Sequence, residues 1–299
     1  MLSRMNTPRL LVIGLLVATS ARAQEVQRPP ITGIAYVRIY AKDAAASRRF
    51  YTQELLLPET PCPGKDCARY QVGTHQWVEV VNAPQAQNDG MQVIAFRTTD
   101  AEALRRYLAA HHVTVPQAVE KQEDGSAEFT VADAEAHRIA FIEPHATTDQ
   151  QGAVSHRLIH VGFMVTDRGA MDPLYKDILG FRPYWHGGMR PERTDWVSLQ
   201  VPDGSDWLEY MLNVPPAPSH HLIGVLNHLS LGVANIDTTE AALERTGWTP
   251  HGEEHKQIGR DGKYQLNVFD PDEVRVEFMA FTPLQKPCCS AFTAPHPQP

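Results

Sequence analysis

Hydrophobic and polar positions follow the same order four times along the chain. Each unit opens with an apolar, strand-like run, continues with a stretch of helical periodicity, and ends in strands that alternate between apolar and polar residues. The four units begin at ITGIAYVRIY (31–40), MQVIAFRTTD (91–100), RLIHVGFMVTD (157–167) and LNHLSLGVAN (226–235). This repetition predicts four copies of one structural module.

Two linker-like segments divide these units. PHATTDQQGAVS (144–155) separates the first pair from the second, and VPPAPSHH (214–221) separates the third unit from the fourth. Asp237 stands at the predicted start of the helix in the fourth unit. The sequence therefore predicts an α+β fold of four βαβββ modules in two domains, residues 24–150 and 155–283.

Neither end of the chain fits the repeat. Two arginines precede the apolar run LLVIGLLVA (10–18), and ARA (21–23) follows it, which is the pattern of a secretory signal peptide over residues 1–23. The run is too short to span a bilayer, which needs about 20 apolar residues. Residues 284–299 contain four prolines and are predicted to be disordered. The mature protein is therefore expected to be secreted or periplasmic.

The net charge limits the binding partners of the protein, and its four cysteines limit the disulfides that it can form. The net charge is −8, and loss of the three arginines of the signal segment would make it −11, so the chain has no electrostatic basis for binding nucleic acid or an anionic membrane. Cys62 and Cys67 can close a short disulfide loop in an exported protein. Cys288 and Cys289 are adjacent, so they are expected to be free or to pair elsewhere. A small-molecule substrate is expected, and a homodimer is possible.

The third and fourth units each contain one histidine and one glutamate at matching positions. His160 and His228 lie in the first strand of their units. Glu209 and Glu277 each follow 49 residues later, in the last strand. Equal spacing in two repeated units indicates that the four residues belong to one site.

Strand alternation predicts which residues share a face. Ile159, Val161 and Phe163 should lie on one face of the first strand, with His160 and Gly162 on the other. The fourth unit repeats this arrangement. One face is therefore predicted to pack against the helix, while the other carries the histidine, the glutamate and small residues that leave room.

Two imidazoles and two carboxylates on rigid strands suit one divalent transition metal, such as Fe, Mn, Ni or Zn. Four protein ligands leave positions open on an octahedral ion, as metal-assisted catalysis requires. In the first half, Tyr36 and Val93 stand at the histidine positions, and Glu79 and Ala140 at the glutamate positions. The metal site is therefore predicted in the second half.

The βαβββ units, with a histidine in the first strand and a glutamate in the last, resemble the vicinal oxygen chelate superfamily. This superfamily includes glyoxalase I, fosfomycin and bleomycin resistance proteins, and extradiol dioxygenases. The resemblance covers Ile31 to Phe281. It implies that adjacent modules pair into one cupped mixed sheet, with helices outside and a metal in the hollow. It also implies a substrate that presents two vicinal oxygens to the metal.

The resemblance leaves three functions open. In a glyoxalase-like lyase or isomerase, Glu209 or Glu277 would carry a proton. An extradiol dioxygenase would bind Fe(II) through His160, His228 and Glu277. However, Glu209 stands where those enzymes keep an acid/base histidine, and Asn267 stands where they keep a tyrosine. The third possibility is a protein that binds and sequesters a small molecule without turning it over.

His186, in YWHGGMRPERTDW (184–196), is a further catalytic candidate above the site. The alternative is an exposed loop histidine. Four aromatic residues are candidates either to stack on a substrate ring or to belong to the core: Tyr184, Trp185, Trp196 and Trp207.

Removal of the signal peptide is a testable consequence. The exported protein is expected to begin at Gln24, because ARA supplies the small residues that precede a signal cleavage site. Amino-terminal sequencing of the exported protein checks this. A variant with Leu15 and Leu16 replaced by Arg should stay inside the cell and uncut. A wild-type protein that is retained and begins at Met1 contradicts export.

Overall fold

The computed structural model describes residues 26–64, 66–83, 90–145 and 154–299. The predicted signal segment and most of the predicted linker 144–155 lie outside these residues. No helix in the described part of the chain is long and apolar enough to cross a membrane.

The residues that the structure describes form two mixed sheets of eight strands each. The strands of the first sheet are β1 (Ile31–Ala41), β2 (Glu59–Thr60), β3 (Cys67–Gly73), β4 (Gln76–Asn82), β5 (Met91–Thr98), β6 (Glu120–Lys121), β7 (Ala127–Ala132) and β8 (Arg138–Glu143). The strands of the second sheet are β9 (Leu158–Met164), β10 (Arg182–Gly187), β11 (Trp196–Gln200), β12 (Trp207–Met211), β13 (His228–Val233), β14 (Lys256–Ile258), β15 (Tyr264–Phe269) and β16 (Arg275–Ala280).

Both sheets have the same topology. The strand orders are β2-β3-β4-β1-β5-β8-β7-β6 and β10-β11-β12-β9-β13-β16-β15-β14. In every module the first strand pairs parallel with the last, and the two first strands of each sheet pair antiparallel at its centre. This confirms the predicted α+β fold of four modules paired into two domains.

One helical segment follows the first strand of each module: α1 (Ala44–Arg49), α2 (Ala101–Ala110), α3 (Arg168–Asp172) and α5 (Ile236–Arg245). Two of them continue as π-helical segments, α1 over Phe50–Glu54 and α3 over Pro173–Ile178. A further helix, α4 (His220–Leu226), precedes β13. Asn235, rather than the predicted Asp237, caps α5 by accepting the Thr238 N–H. The buried side chains of α2 and α5 join the strands in one core.

Ile159 of β9 lies on the opposite face of the sheet from the one that strand alternation predicted. Between the pairs Ser230–His160 and Leu231–Leu158, β9 has one residue more than β13, and this extra residue is Ile159. Such a β-bulge breaks the alternation of side chains. Ile159 therefore packs among the aromatic residues on the histidine side of the sheet. Its predicted place on the helix-facing side is wrong.

Buried hydrogen bonds join the two domains at equivalent positions. The side chain of Gln76 bonds the N–H and C=O of Leu158, at 3.0 and 2.7 Å. Asp206, its equivalent in the second domain, accepts the Ile34 N–H at 3.0 Å. A second pair of equivalent hydrogen bonds also crosses between the domains: the Tyr51 hydroxyl donates to Asp270, and the Tyr175 hydroxyl donates to Asp133. Because one apolar cluster also contains residues of both domains, the two sheets share a core.

Residues 284–299 pack against the second domain, although their composition predicted disorder. Phe292 contacts Tyr184, with 4.8 Å between ring centroids. The Gln200 side chain donates to the Pro295 carbonyl at 2.8 Å. Four of its sixteen residues are prolines without an N–H, and the side chains of Trp185 and Gln200 donate to the carbonyls of Cys288 and Pro295.

Both cysteine pairs form disulfides. Cys62 is joined to Cys67, as loop closure predicted. Cys288 is joined to Cys289, contrary to the expectation that these residues would be free or pair elsewhere. The backbone turns sharply here, with φ of +73° at Cys289.

Candidate metal site

The two histidines lie side by side at the centre of the second sheet. In the antiparallel pairing of β9 with β13, His160 is opposite Ser230 and His228 is opposite Gly162. Both rings therefore project from the same face, and their Nε2 atoms are 3.0 Å apart. Both side chains are buried. The structure thus brings together the two residues that the repeat placed at matching positions.

The two glutamates approach the histidines from the neighbouring strands. β12 pairs parallel with β9, and β16 pairs parallel with β13. Glu277 Oε2 lies 3.2 Å from His160 Nε2, and Glu209 Oε2 lies 3.9 Å from His228 Nε2. One ligand atom from each of His160, Glu209 and His228 lies within 4.8 Å of the other two.

Gly162 provides the space that the imidazole of His228 occupies. A Cβ at this position would collide with Cε1 and Nδ1 of His228, because the two residues are directly opposite each other. Glycine at position 162, the small residue that was predicted on the histidine face, is therefore required for the imidazole of His228 to fit.

The positions of these atoms fit one metal ion. Ligand atoms about 2.1 Å from a metal and at right angles are about 3 Å apart, as are His160 Nε2 and its two neighbours. His228 Nδ1 lies 3.0 Å from the Leu226 carbonyl, and the tautomer that donates this bond leaves a lone pair on Nε2. Trp207 stacks on His160 at 4.6 Å and restricts its ring. His160, Glu209 and His228 therefore form a group that could hold a divalent transition metal, and Glu277 lies beside it through its contact with His160.

The pKa values of the two carboxyl groups shift in opposite directions. Burial raises the pKa of Glu209 to about 8, and the negative charge of Glu277 adds to this. Burial also acts on Glu277, but the hydrogen bond from His160 and the charge of Arg275 outweigh it and lower its pKa to about 2. Burial lowers the pKa of His160 and of His228, which favours the neutral form of both rings. Two carboxyls with separated pKa values suit proton transfer.

A cavity of ≈ 330 Å³ opens above the carboxylates. Glu209 and Glu277 line it, whereas the buried histidines do not. The other charged lining residues are Arg260, Asp261 and Arg275. The main apolar lining residues are Trp185, Trp196, Met189, Met211 and Met279. The volume lies at the lower end of the range of about 300–1,000 Å³ for small-molecule pockets.

Three charged residues near the site were not among the candidates from the sequence: Arg275, Asp261 and Lys263. Arg275 precedes Glu277 by two positions on β16, so alternation could have indicated it. Lys263 is fully buried, with Nζ 4.4 Å from the centroid of the Trp207 ring, and burial lowers its pKa to about 8. Asp261 and Lys263 lie in the turn between β14 and β15, where no periodicity points to the site.

His186 is not brought to this cavity. It is exposed on β10, and its backbone N–H and C=O both bond the Ser290 hydroxyl at 2.9 Å. The neighbouring Trp185 lines the cavity instead. The sequence analysis gave two alternatives for His186, a catalytic residue above the site and an exposed histidine, and its side chain is exposed.

The equivalent positions of the first sheet carry different residues. The register places these four residues where the second sheet has its histidines and glutamates: Tyr36, Val93, Glu79 and Ala140. This confirms the equivalence read from the sequence. Arg38 stands at the position of Gly162, and its guanidinium donates to Glu79 at 2.5 Å. A protein cation therefore pairs with the remaining glutamate.

Comparison with known proteins agrees with this geometry. Residues 157–278 match the Glyoxalase/Bleomycin resistance protein/Dioxygenase superfamily. A comparison with curated proteins gave no match. The match lies within the second domain, and the resemblance to the vicinal oxygen chelate proteins is confirmed.

Solved structures share the fold over most of the chain. The Mn(II)-bound glyoxalase from Novosphingobium aromaticivorans has a TM-score of 0.67 and 18% identity, covering 84% of this chain and 83% of that one. An extradiol ring-cleaving dioxygenase from B. fuscum has a TM-score of 0.62 and 19% identity, covering 90% and 75%. Homoprotocatechuate 2,3-dioxygenase from Arthrobacter globiformis has a TM-score of 0.62 and 18% identity, covering 88% and 84%. At these identities the likeness establishes the fold.

Gly162→Ala should weaken metal binding at least about tenfold, because the added methyl group displaces the His228 ring. The measurement is a titration of purified protein with Zn(II) or Mn(II). Gly247→Ala is a matched control: its Cβ would meet nothing within 4 Å, but its φ of +95° makes alanine strained. The control should lose stability and keep metal affinity. A folded Gly162→Ala protein with unchanged affinity contradicts the prediction.

Proposed function

We propose that the second domain binds one divalent transition metal through His160, His228, Glu277 and Glu209. We further propose that the protein is a lyase or isomerase acting on a small substrate with two vicinal oxygens. The observation that carries this proposal is the convergence of two histidines and two glutamates below a small cavity. A bound metal would polarise the substrate oxygens and stabilise the anion left by proton loss.

Glu209 is the proton carrier in this proposal. Its side chain is 15% exposed and lines the cavity, whereas that of Glu277 is 4% exposed. The Ser198 hydroxyl donates to Glu209 Oε1 at 3.1 Å and orients the carboxyl group. The other oxygen, Oε2, would alternate between the ion and a substrate C–H, from which it takes a proton and to which it returns it. Glu277 is the anionic ligand beside His160.

Two positions favour proton transfer over oxygen chemistry. Glu209 replaces the acid/base histidine that the dioxygenase resemblance implies. Asn267, paired with Glu277 across β15 and β16, replaces the implied tyrosine. An asparagine amide does not titrate, so it cannot act as an acid or a base.

One set of variants distinguishes the metal-ligand role of His160 from the proton-carrier role of Glu209. Wild-type protein purified without chelator should contain about one equivalent of metal by elemental mass spectrometry, and His160→Gln should lose it. Glu209→Gln should lower turnover at least about 100-fold. Turnover is followed as deuterium exchange at the C–H beside the carbonyl in a panel of α-hydroxyketones. Glu79→Gln, the equivalent substitution in the first sheet, should change neither metal content nor turnover.

Two outcomes contradict this assignment. One is a folded wild-type protein that takes up no metal. The other is a Glu209→Gln variant with metal content and turnover intact. Binding of a panel compound without deuterium exchange beyond one equivalent per protein would instead favour a sequestration protein. Export and self-association stay predictions.

An iron-dependent ring-cleaving dioxygenase is the second candidate. His160, His228 and Glu277 form a 2-His-1-carboxylate set of the kind that non-haem Fe(II) oxygenases use. The four-module architecture, which this chain shares with the extradiol dioxygenases described above, also supports this candidate.

Oxygen uptake distinguishes the two candidates. Under the lyase or isomerase proposal, Fe(II)-loaded protein with catechol should consume no more oxygen than the His160→Gln variant, because no histidine stands at the acid/base position. Activity in the exchange assay should also persist under strict anaerobiosis. Oxygen consumption equal to catechol loss, measured with an electrode, would reverse the assignment.

A further inference from the structure

Arg275 presents an unpaired cation to the cavity. It precedes Glu277 by two positions on β16, so both side chains lie on the cavity side of the sheet. Its guanidinium makes no hydrogen bond or ion pair with any residue that the structure describes, and its Nε is buried without a partner. A buried polar group without a partner is unfavourable. A ligand that supplies the missing acceptor would remove this cost.

The other charged groups of the cavity are already engaged. Arg260 donates to the Gly188 carbonyl at 3.1 Å and to Cys288 Sγ at 3.0 Å. Asp261 accepts the backbone N–H of Lys263 at 3.0 Å. The two glutamates face the histidines. The guanidinium on β16 is therefore the uncommitted cation of the cavity.

Apolar and aromatic side chains form much of the remaining wall. Trp185 and Trp196 lie nearly parallel, with an interplanar angle of 20° and 6.4 Å between ring centroids. Met211 and Met279 also line the cavity. Indole and thioether surfaces pack well against a flat apolar body. The ≈ 330 Å³ volume limits that body to about one ring or a short chain.

We infer that the substrate is a small organic anion whose carboxylate binds Arg275 and whose two vicinal oxygens face the histidines and glutamates. This inference rests on the proposed metal-dependent function. A guanidinium offers two parallel N–H donors that match a carboxylate. Arg275 and Glu277 lie two positions apart on one face of β16, so a carboxylate bound to Arg275 would leave vicinal oxygens of the same small molecule within reach of the Glu277 side. Arg275 is therefore a specificity-determining residue.

Calorimetric titration of anaerobic, Zn(II)-loaded protein tests the inference. The probes are catechol, 2,3-dihydroxybenzoate and 3,4-dihydroxybenzoate, which differ by one carboxylate. Wild-type protein should bind at least one of the benzoates about tenfold or more tighter than catechol, as one charge-assisted pair allows. Arg275→Met should abolish this preference and leave the Kd of catechol unchanged. Arg275→Lys should keep part of it, because a point charge remains.

Arg245→Met is the matched control, since Arg245 is an exposed arginine of α5. It should keep the full preference for the carboxylated probe. No preference in the wild type, or an unchanged preference in Arg275→Met, overturns the inference. A wild type that takes up no zinc contradicts the proposed function instead. The anion site is then judged by titrating metal-free protein with the same benzoates, where an equal Kd in wild type and Arg275→Met overturns it.

Discussion

The antiparallel pairing of β9 with β13 is the constraint on which the candidate site depends. Side chains alternate between the faces of a strand, so a register shift of one residue would turn a histidine into the apolar core. The observed register places His228 opposite Gly162, and the missing side chain there gives the imidazole its space. The parallel strands on either side then fix Glu209 and Glu277.

The first sheet shows that the backbone alone does not make a metal site. It has the same strand order and the same central pairing, yet apolar or aromatic residues occupy three of the four ligand positions. Arg38, at the position of Gly162, pairs with Glu79, while the Tyr36 hydroxyl donates to Glu128 at 2.8 Å. The duplicated architecture therefore supports a neutralised polar network in one domain and a cluster of candidate metal-ligand side chains in the other.

Burial decides the electrostatics of the second domain. It lowers the pKa of both imidazoles and of Lys263, and it raises the pKa of Glu209. Phe292 of the carboxyl-terminal segment contributes to this burial, with its ring centroid 5.6 Å from Lys263 Nζ. The segment therefore shields one side of the site, while Glu209 and Arg275 remain at the cavity on the other.

The sequence by itself determined the modules, their pairing into two domains and the positions of the histidines and glutamates. The modules and the matching positions follow from local alternation and from equal spacing in repeated units, which need no knowledge of distant contacts. The pairing into two domains follows from the linker-like segment 144–155 and from the family resemblance. Tertiary structure decided the rest. The bulge at Ile159 arises from the mismatch of two strands. The packing of residues 284–299 and the positions of Asp261 and Lys263 beside the site depend on contacts between segments far apart in the chain. Such contacts have no period along one strand, so the sequence pattern could not reveal them.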